Sequence, residues 1–300
     1  MDLTVGSRVS IRYRLPAGSA KPLTDVIGHV EQVGPPVVVR TKSGDVVDIA
    51  PADIVTVREL SHTPVRTSEI RALEHAAALA WPGAEQHWLH GWFLRAGRGV
   101  TSRANSALPL DPGAQVAGLP AVIDWYSQRG LPAVLALPER LLPVRAAGTK
   151  QTRVMVRDAP DAPVSGGAEL LDRPDADWLR LYERDVPLEE LGAVIDGDLT
   201  FAMLPATAVG RGAVTTAPDG TRWLGISSVR VTPDRRRQGH AEAVCDSLLA
   251  WGGQHGAQRV YVEVLDDNSA AIALYTGLGF RLHHTHRYVS AGSLLAPTIQ

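Results

Sequence analysis

The chain has 300 residues, 45% of them hydrophobic and 21% charged, with a formal net charge of -2 at pH 7. These values suit a soluble globular protein of two or three small domains and exclude a global basic field for nucleic acid. No run of about 18 apolar residues offers a membrane span, "MDLTVGSRVS" carries no apolar signal core, and Cys245 is the single cysteine, so no internal disulfide forms and a cytoplasmic protein is expected.

Residues 1–60 read as five short strands, "RVSIRYRL", "DVIGHVEQVG", "PVVVRTKSG", "DVVDIA" and "DIVTVREL", each rich in Val or Ile and broken by Gly, Pro or Asp. "KSGDVVDI" reads as a hairpin turning at Gly44. The spacing suggests a small β-barrel and resembles the Src-homology-3 kind. Its basic residues Arg8, Arg12, Arg14 and Lys21 are offset by Asp45, Asp48, Asp53 and Glu59, so no nucleic-acid partner is expected.

Residues 61–160 read as an α+β block. Ile70, Leu73, Ala77 and Ala80 recur at helical spacing, and Pro82 ends that helix. "GWFLRAGRGVTSRANSALPL" reads as two strands around a Gly97–Gly99 turn. Its polar "TSRANS" either lines a cleft or pairs at a sheet edge. "AGLPAVIDWYSQRG" is a second helix with Val122, Trp125 and Tyr126 on one face, and "LPAVLALP" is a closing strand.

Residues 161–300 repeat that order of elements without a close sequence repeat, which makes a structural duplication an expectation. "DADWLRLY" is a helix; "LTFAMLPATAV", interrupted by Pro205, and "RGAVTTA" are strands; Asp219 and Gly220 mark a hairpin; and "RWLGISSVRV" is a strand running to Pro233. The next stretch, "PDRRRQGHAEAV", is a tight basic turn opening a helix, whose Ala241, Val244, Cys245, Leu248 and Leu249 form one apolar face. The first amides of a helix lack internal partners and carry partial positive charge. With Gly239 allowing close approach, and Arg236 and Arg237 adding charge, the turn is either a solvated helix cap or a phosphate site. "VYVEVLDDNSAAIALYTGLGF" then runs from a strand into a helix capped by Asn268.

Residues 223–289 resemble the GNAT superfamily of acyl-CoA-dependent N-acetyltransferases. The family's pyrophosphate motif is Arg or Gln, two residues, Gly, one residue, then Gly or Ala. Arg236, Gly239 and Ala241 match it after a strand. The later family pattern matches Asn268, Ala271, Tyr275, Gly279 and Phe280. The resemblance implies an α+β chain: a small barrel over 1–60, a degenerate, non-catalytic GNAT-like domain over 61–160, and a catalytic GNAT domain, a mixed sheet with flanking helices, over 161–300. The middle block lacks the basic turn and has Asp111 in "LPLDPGAQVAGLP" instead.

The resemblance further implies acetyl-CoA as co-substrate and no metal. Val229, Arg230 and Val231 would pair with the pantetheine arm as an added strand. Arg236, Arg237, Gln238, Gly239, His240, Ala241 and Glu242 would surround the pyrophosphate, and Asn268, Ala271 and Tyr275 would meet the cofactor nearer its sulfur. Tyr275 is the candidate acid for the leaving thiolate, a backbone N–H near Val229 the oxyanion donor, and Glu263 the candidate base. Alternation places Tyr261 and Glu263 on one face and Val260, Val262 and Val264 on the other. The acceptor is a primary amine, either a small molecule or a protein lysine or N-terminus; a homodimer is one assembly open to such a chain. The alternative is a non-catalytic acyl-CoA sensor or partner-binding module. Cys245 reads as packing. His283, His284 and His286 lack enough companions for a metal site, and a place in the substrate pocket is the functional option for one of them.

Overall fold

Alternation sets the N-terminal unit. In the computed structural model, which describes residues 3–144, 146–160 and 166–295, five strands carry it: β1 (Arg8–Arg14), β2 (Leu23–Gln32), β3 (Val37–Thr41), β4 (Val46–Ile49) and β5 (Ile54–Glu59). They form one antiparallel sheet in the order β4-β3-β2-β1-β5. Val9, Ile11, Val26, Val30, Val37, Val39 and Ile49 face one core. The expected hairpin is present, with Gly44 at φ +95° between β3 and β4.

The remainder, Arg66–Gln300, forms a second unit. Its elements are α1 (Thr67–Ala80), β6 (Glu85–Leu89), β7 (Trp92–Ala96), β8 (Ala107–Leu108), α2 (Leu119–Ser127), β9 (Val134–Pro138), β10 (Thr149–Asp158), β11 (Glu169–Leu171), α3 (Ala176–Tyr182), α4 (Leu188–Leu191), β12 (Asp198–Leu204), β13 (Ala208–Thr216), β14 (Arg222–Val231), α5 (His240–Gln254), β15 (Arg259–Leu265), α6 (Ser269–Gly277) and β16 (Arg281–Ser290). All of these strands join one sheet, ordered β11-β12-β13-β14-β15-β10-β16-β9-β8-β7-β6.

Read outward from its centre, that order has a pseudo-two-fold plan. One arm runs β10-β15-β14-β13-β12 and the other β16-β9-β8-β7-β6. In each arm the inner pair is antiparallel, the next is parallel (β14 with β15, β8 with β9), and the outer pairs are antiparallel. The second block therefore does repeat the topology of the third. The last strand of each half crosses into the other: β10 follows β9 in the chain but pairs with β15, and β16 follows β15 but pairs with β9. The sheet is continuous across the boundary expected at 160/161, and 66–300 is one compact unit.

Two local expectations are also corrected. Pro205 does not interrupt a strand. It ends β12, and Pro205–Thr207 turn the chain into β13, which includes the "RGAVTTA" read as a separate strand. "TSRANS" is a turn rather than a strand, because Asn105 draws the backbone into a compact loop: its Oδ1 accepts from the amides of Gly97 (2.8 Å) and Gly99 (3.1 Å), and its Nδ2 donates to the Thr101 carbonyl (2.7 Å).

Candidate active site

The parallel ladder between β14 and β15 runs from Trp223 opposite Arg259 to Ile226 opposite Val262 and stops, although β14 continues to Val231 and β15 to Leu265. On the other edge of β14, Arg211 of β13 faces Ser227 and Val209 faces Arg230, so three steps along β14 match two along β13. This is a β-bulge, and Ser228 sits in it at φ +56°. A bulge bends its strand, and here β14 parts from β15. The gap is a cleft of about 610 Å³.

Six of the residues singled out in the sequence line this cleft: Val229, Arg230, Glu263, Asn268, Ala271 and Tyr275. Val231 and the turn Arg236–Glu242 do not; they follow β14 beyond it. In that turn Arg237 has φ +63° and Gly239 φ +82°, and a Cβ built on Gly239 would meet nothing within 4 Å. The Arg236 Nε donates to the Val231 carbonyl at 3.4 Å and the Gln238 Nε2 to that of Asp234 at 3.3 Å. Arg236 and Arg237 are exposed, and Gly239 is the N-cap of α5. The amide of Ala243 already bonds back to Gly239 O at 3.0 Å, leaving those of His240 to Glu242 to point outward. Glu242, in the same first turn, also favours this helix end and would oppose a phosphate placed close to it. An uncrowded left-handed glycine, free amides and two exposed guanidinium groups fit a pyrophosphate.

Asn268 caps α6, its Oδ1 accepting from the Ala271 amide at 3.1 Å. Tyr275 is buried against Phe280, with ring centroids 5.5 Å apart. Burial pushes its phenol well above the ordinary value, the Cys245 thiol adds to this, and Arg103 opposes it. The hydroxyl therefore keeps its proton at neutral pH. The Ser228 Oγ lies 3.3 Å from the Tyr182 hydroxyl across the cleft entrance, and Arg230 pairs with Glu183.

Alternation holds on β15: Val260, Val262 and Val264 join the core under α5, while Tyr261 and Glu263 face the opposite side. Sequence reasoning missed the partner of Glu263. Arg103, 160 residues away, donates from Nε to Oε2 at 2.9 Å, and its Nη2 lies 2.8 Å from the same oxygen in an ion pair. The Glu263 side chain is only 7% exposed. Also missed were Trp81, Lys150, Tyr182, Arg184 and Tyr288, which line the same cleft. Polar "TSRANS" was the only signal pointing to this wall, and it was legible as an edge strand as well.

Family models match both units. One, described as "Probable histone acetyltransferase Rv0428c C-terminal", covers residues 67–289; another, "Rv0428c N-terminal Sm-like domain", covers 3–58. The chain belongs to this acetyltransferase family. The "Probable histone acetyltransferase Rv0428c" of Mycobacterium tuberculosis is 48% identical over 293 residues, 97% of this chain and 96% of that one. The "Uncharacterized N-acetyltransferase YobR" of Bacillus subtilis is 26% identical over 254 residues, 73% of this chain and 98% of that one. Among solved structures, a GCN5-related N-acetyltransferase from Kribbella flavida has the same fold, with a TM-score of 0.52 over 75% of this chain and 95% of that one at 15% identity. The enzyme thus has the GNAT fold expected from Arg236, Gly239 and Asn268.

The histidines of the enzyme's last strand lie elsewhere. His284 Nε2 and His286 Nδ1 both meet Oε1 of Glu74, on α1, at 2.7 and 3.1 Å. His283 Nδ1 lies 2.7 Å from His284 Nδ1. All four side chains are buried, and none of the histidines lines the cleft, so the pocket role held open for one of them is not realised. Cys245 is fully buried packing, its thiol pushed up to about 12, chiefly by burial. Among the described residues no cluster of three or more potential ligands could hold a metal ion, and no helix is long and apolar enough to cross a membrane.

Proposed function

We propose that the enzyme transfers an acetyl group from acetyl-CoA to a primary amine by direct attack, in the cleft between β14 and β15. The observation that carries this reading is the early end of the β14–β15 ladder, which leaves Ser227–Arg230 of β14 on an open cleft, with the Arg236–Gly239 turn following in the chain. Val229, Arg230 and Val231 would hold the pantetheine arm, the turn from Arg236 to Glu242 the pyrophosphate, and Asn268, Ala271 and Tyr275 the thioester end. The co-substrate supplies the activated acetyl group.

The residues of this chain then divide the proton work. Glu263 takes a proton from the acceptor nitrogen as the C–N bond forms. The Val229 N–H donates to the carbonyl oxygen as it gains charge. Tyr275 gives its proton to the sulfur as the C–S bond breaks. The acceptor is an amine on a small molecule or a protein lysine or N-terminus; the Mycobacterium tuberculosis relative's name favours the protein lysine. We also place the enzyme in the cytoplasm as part of this reading.

Replacing Tyr275 by Phe tests it. Thiol release, measured over an amine panel, should fall by about 10²-fold or more in kcat, with acetyl-CoA affinity within twofold of wild type. An unchanged rate would remove Tyr275 from the chemistry. Tight acetyl-CoA binding with no amine turned over by wild type would instead favour the acyl-CoA sensor.

A further inference from the structure

The half of the second unit that lacks the basic turn nevertheless reaches into the cleft. Its loop 97–106, between β7 and β8, presents Thr101, Ser102 and Arg103 there. Two buried or half-buried anchors hold the loop. Asn105 binds its backbone from within, as described above. Glu190, on α4 of the other half and fully buried, accepts from the Arg98 amide at 2.9 Å and from the Thr101 hydroxyl at 3.2 Å. A loop tied at both ends delivers one cation to one carboxylate.

We infer that Arg103 is a positioning residue for Glu263: its guanidinium holds Oε2 through one hydrogen bond and an ion pair, fixes the carboxylate's orientation, and leaves Oε1 as the oxygen that takes the acceptor's proton. This rests on Glu263 being the base. The hydrogen bond and the closer ion-pair contact go to the same oxygen, and among the described residues no side chain or amide donates to the other. Charge-assisted pairs of this geometry are strong and directional. Taking the cation away from so little exposed a carboxylate disfavours its charged form. The charged and titratable groups around Glu263 include Arg103, Arg95 on β7, Arg211 on β13, Tyr261 on its own strand, His286 and Tyr288 on β16, and Lys150 across the cleft. Arg103 is the cation in hydrogen-bond contact. Its own stack on the Trp81 ring, 5.4 Å from the centroid, fixes the guanidinium from behind. The half without the basic turn thus supplies a side chain to the cleft of the other.

The test uses the full chain with Arg103→Met, Arg103→Lys, Glu263→Gln and the double variant Arg103→Met/Glu263→Gln. One readout needs no acceptor: the carboxyl carbon of Glu263, assigned by its absence in Glu263→Gln, followed by NMR against pH. The other is the pH profile of kcat/KM with acetyl-CoA and whichever primary amine wild type turns over fastest. In Arg103→Met the NMR midpoint and the acidic limb of the profile should rise together by at least about one unit, kcat at pH 7 should fall about tenfold, and the KM for acetyl-CoA should hold. Arg103→Lys should recover part of each. The double variant, which buries no lone carboxylate, should be as slow as Glu263→Gln and no slower. A limb and midpoint that stay in place, or a double variant a further tenfold slower than Glu263→Gln, would overturn the role. If Glu263→Gln itself is as fast as wild type, the base reading beneath the inference has failed, and the inference with it.

Discussion

Residues 161–300 expressed alone are expected not to fold. That fragment contains every residue matched to the family's cofactor motifs, yet it lacks β10, which is hydrogen-bonded between β15 and β16 along most of its length. Removing β10 leaves two facing strand edges open at the centre of the sheet and takes Met155 from the core beneath α5 and Val154 and Val156 from the core around Tyr261. The fragment also lacks α1, and with it the Ala80 carbonyl that accepts from the buried Arg211 (2.9 Å) and the Ala76 carbonyl that accepts from Thr215 (2.8 Å). Buried polar groups left without partners cost about 1–3 kcal/mol each, and a guanidinium more. Against a total of about 5–15 kcal/mol for a domain, these losses are decisive. Co-expression of 1–160 with 161–300 should restore a soluble 1:1 complex, because the strand exchange ties the pieces together. A soluble 161–300 fragment with a sharp melting transition would contradict the exchange.

The second large effect belongs to Glu74. Replacing it by Leu should destabilise the second unit by about 3–5 kcal/mol, the usual loss when one member of a buried charged cluster is removed. For a unit of this size that is a fall in Tm of roughly 10 °C. The pH dependence follows from the shifts. Burial pushes the Glu74 carboxyl up, but His286 and His284 pull it well below its ordinary value. Stability from this group is present above an unfolded pKa of about 4.3 and is lost as pH falls through the lower folded value. Burial pulls His286 down, but Glu74 more than reverses this and its pKa is raised. Its contribution is fully present below about pH 6.5 and is lost as pH rises through the folded value. The gap in Tm between wild type and Glu74→Leu should therefore be widest between about pH 4.3 and 6.5 and should narrow above that. His283, pushed down to about 3 mainly by burial, works the other way, since its neutral burial loses stability as pH falls. It does so in both proteins, so the difference between them isolates Glu74. A gap that widens steadily from pH 6 to 9 would show that the charges are not paired as described.

What could be read in the sequence was what neighbours in sequence decide. The strand, turn and helix from Arg222 to Gln254 follow from Val/Ile content, a basic turn with glycine, and an apolar stripe. Asn268 announces its helix by its own hydrogen bond. The five strands of the first unit and the Gly44 hairpin are equally local. The missing pieces depend on distant partners. β10, "TKQTRVMVRD", is half polar and was not recognised as a strand, yet it sits at the centre of the sheet because both of its edges are paired. β6, "EQHWL", is an edge strand with little burial to mark it. Glu74 meets His284 and His286 across more than 200 residues, and Arg103 meets Glu263 across 160. No spacing rule reaches that far. The alternation that put Glu263 opposite the core valines was sound, but it could not say which cation would face it.

The proposed function puts acetyl-CoA in the β14–β15 cleft with its pyrophosphate at the turn before α5. The most direct measurement is calorimetric titration of acetyl-CoA into wild type, Gly239→Ala and Gly239→Glu, each verified as folded by its melting transition. Both substitutions carry the same penalty, about 1–2 kcal/mol, for a side chain at φ +82°. They differ in the carboxylate that Glu would hold over the amides of His240 to Glu242. One site is expected in wild type, weaker binding in Gly239→Ala, and none in Gly239→Glu. Equal affinity in wild type and Gly239→Glu, or no binding to folded wild type, would contradict it.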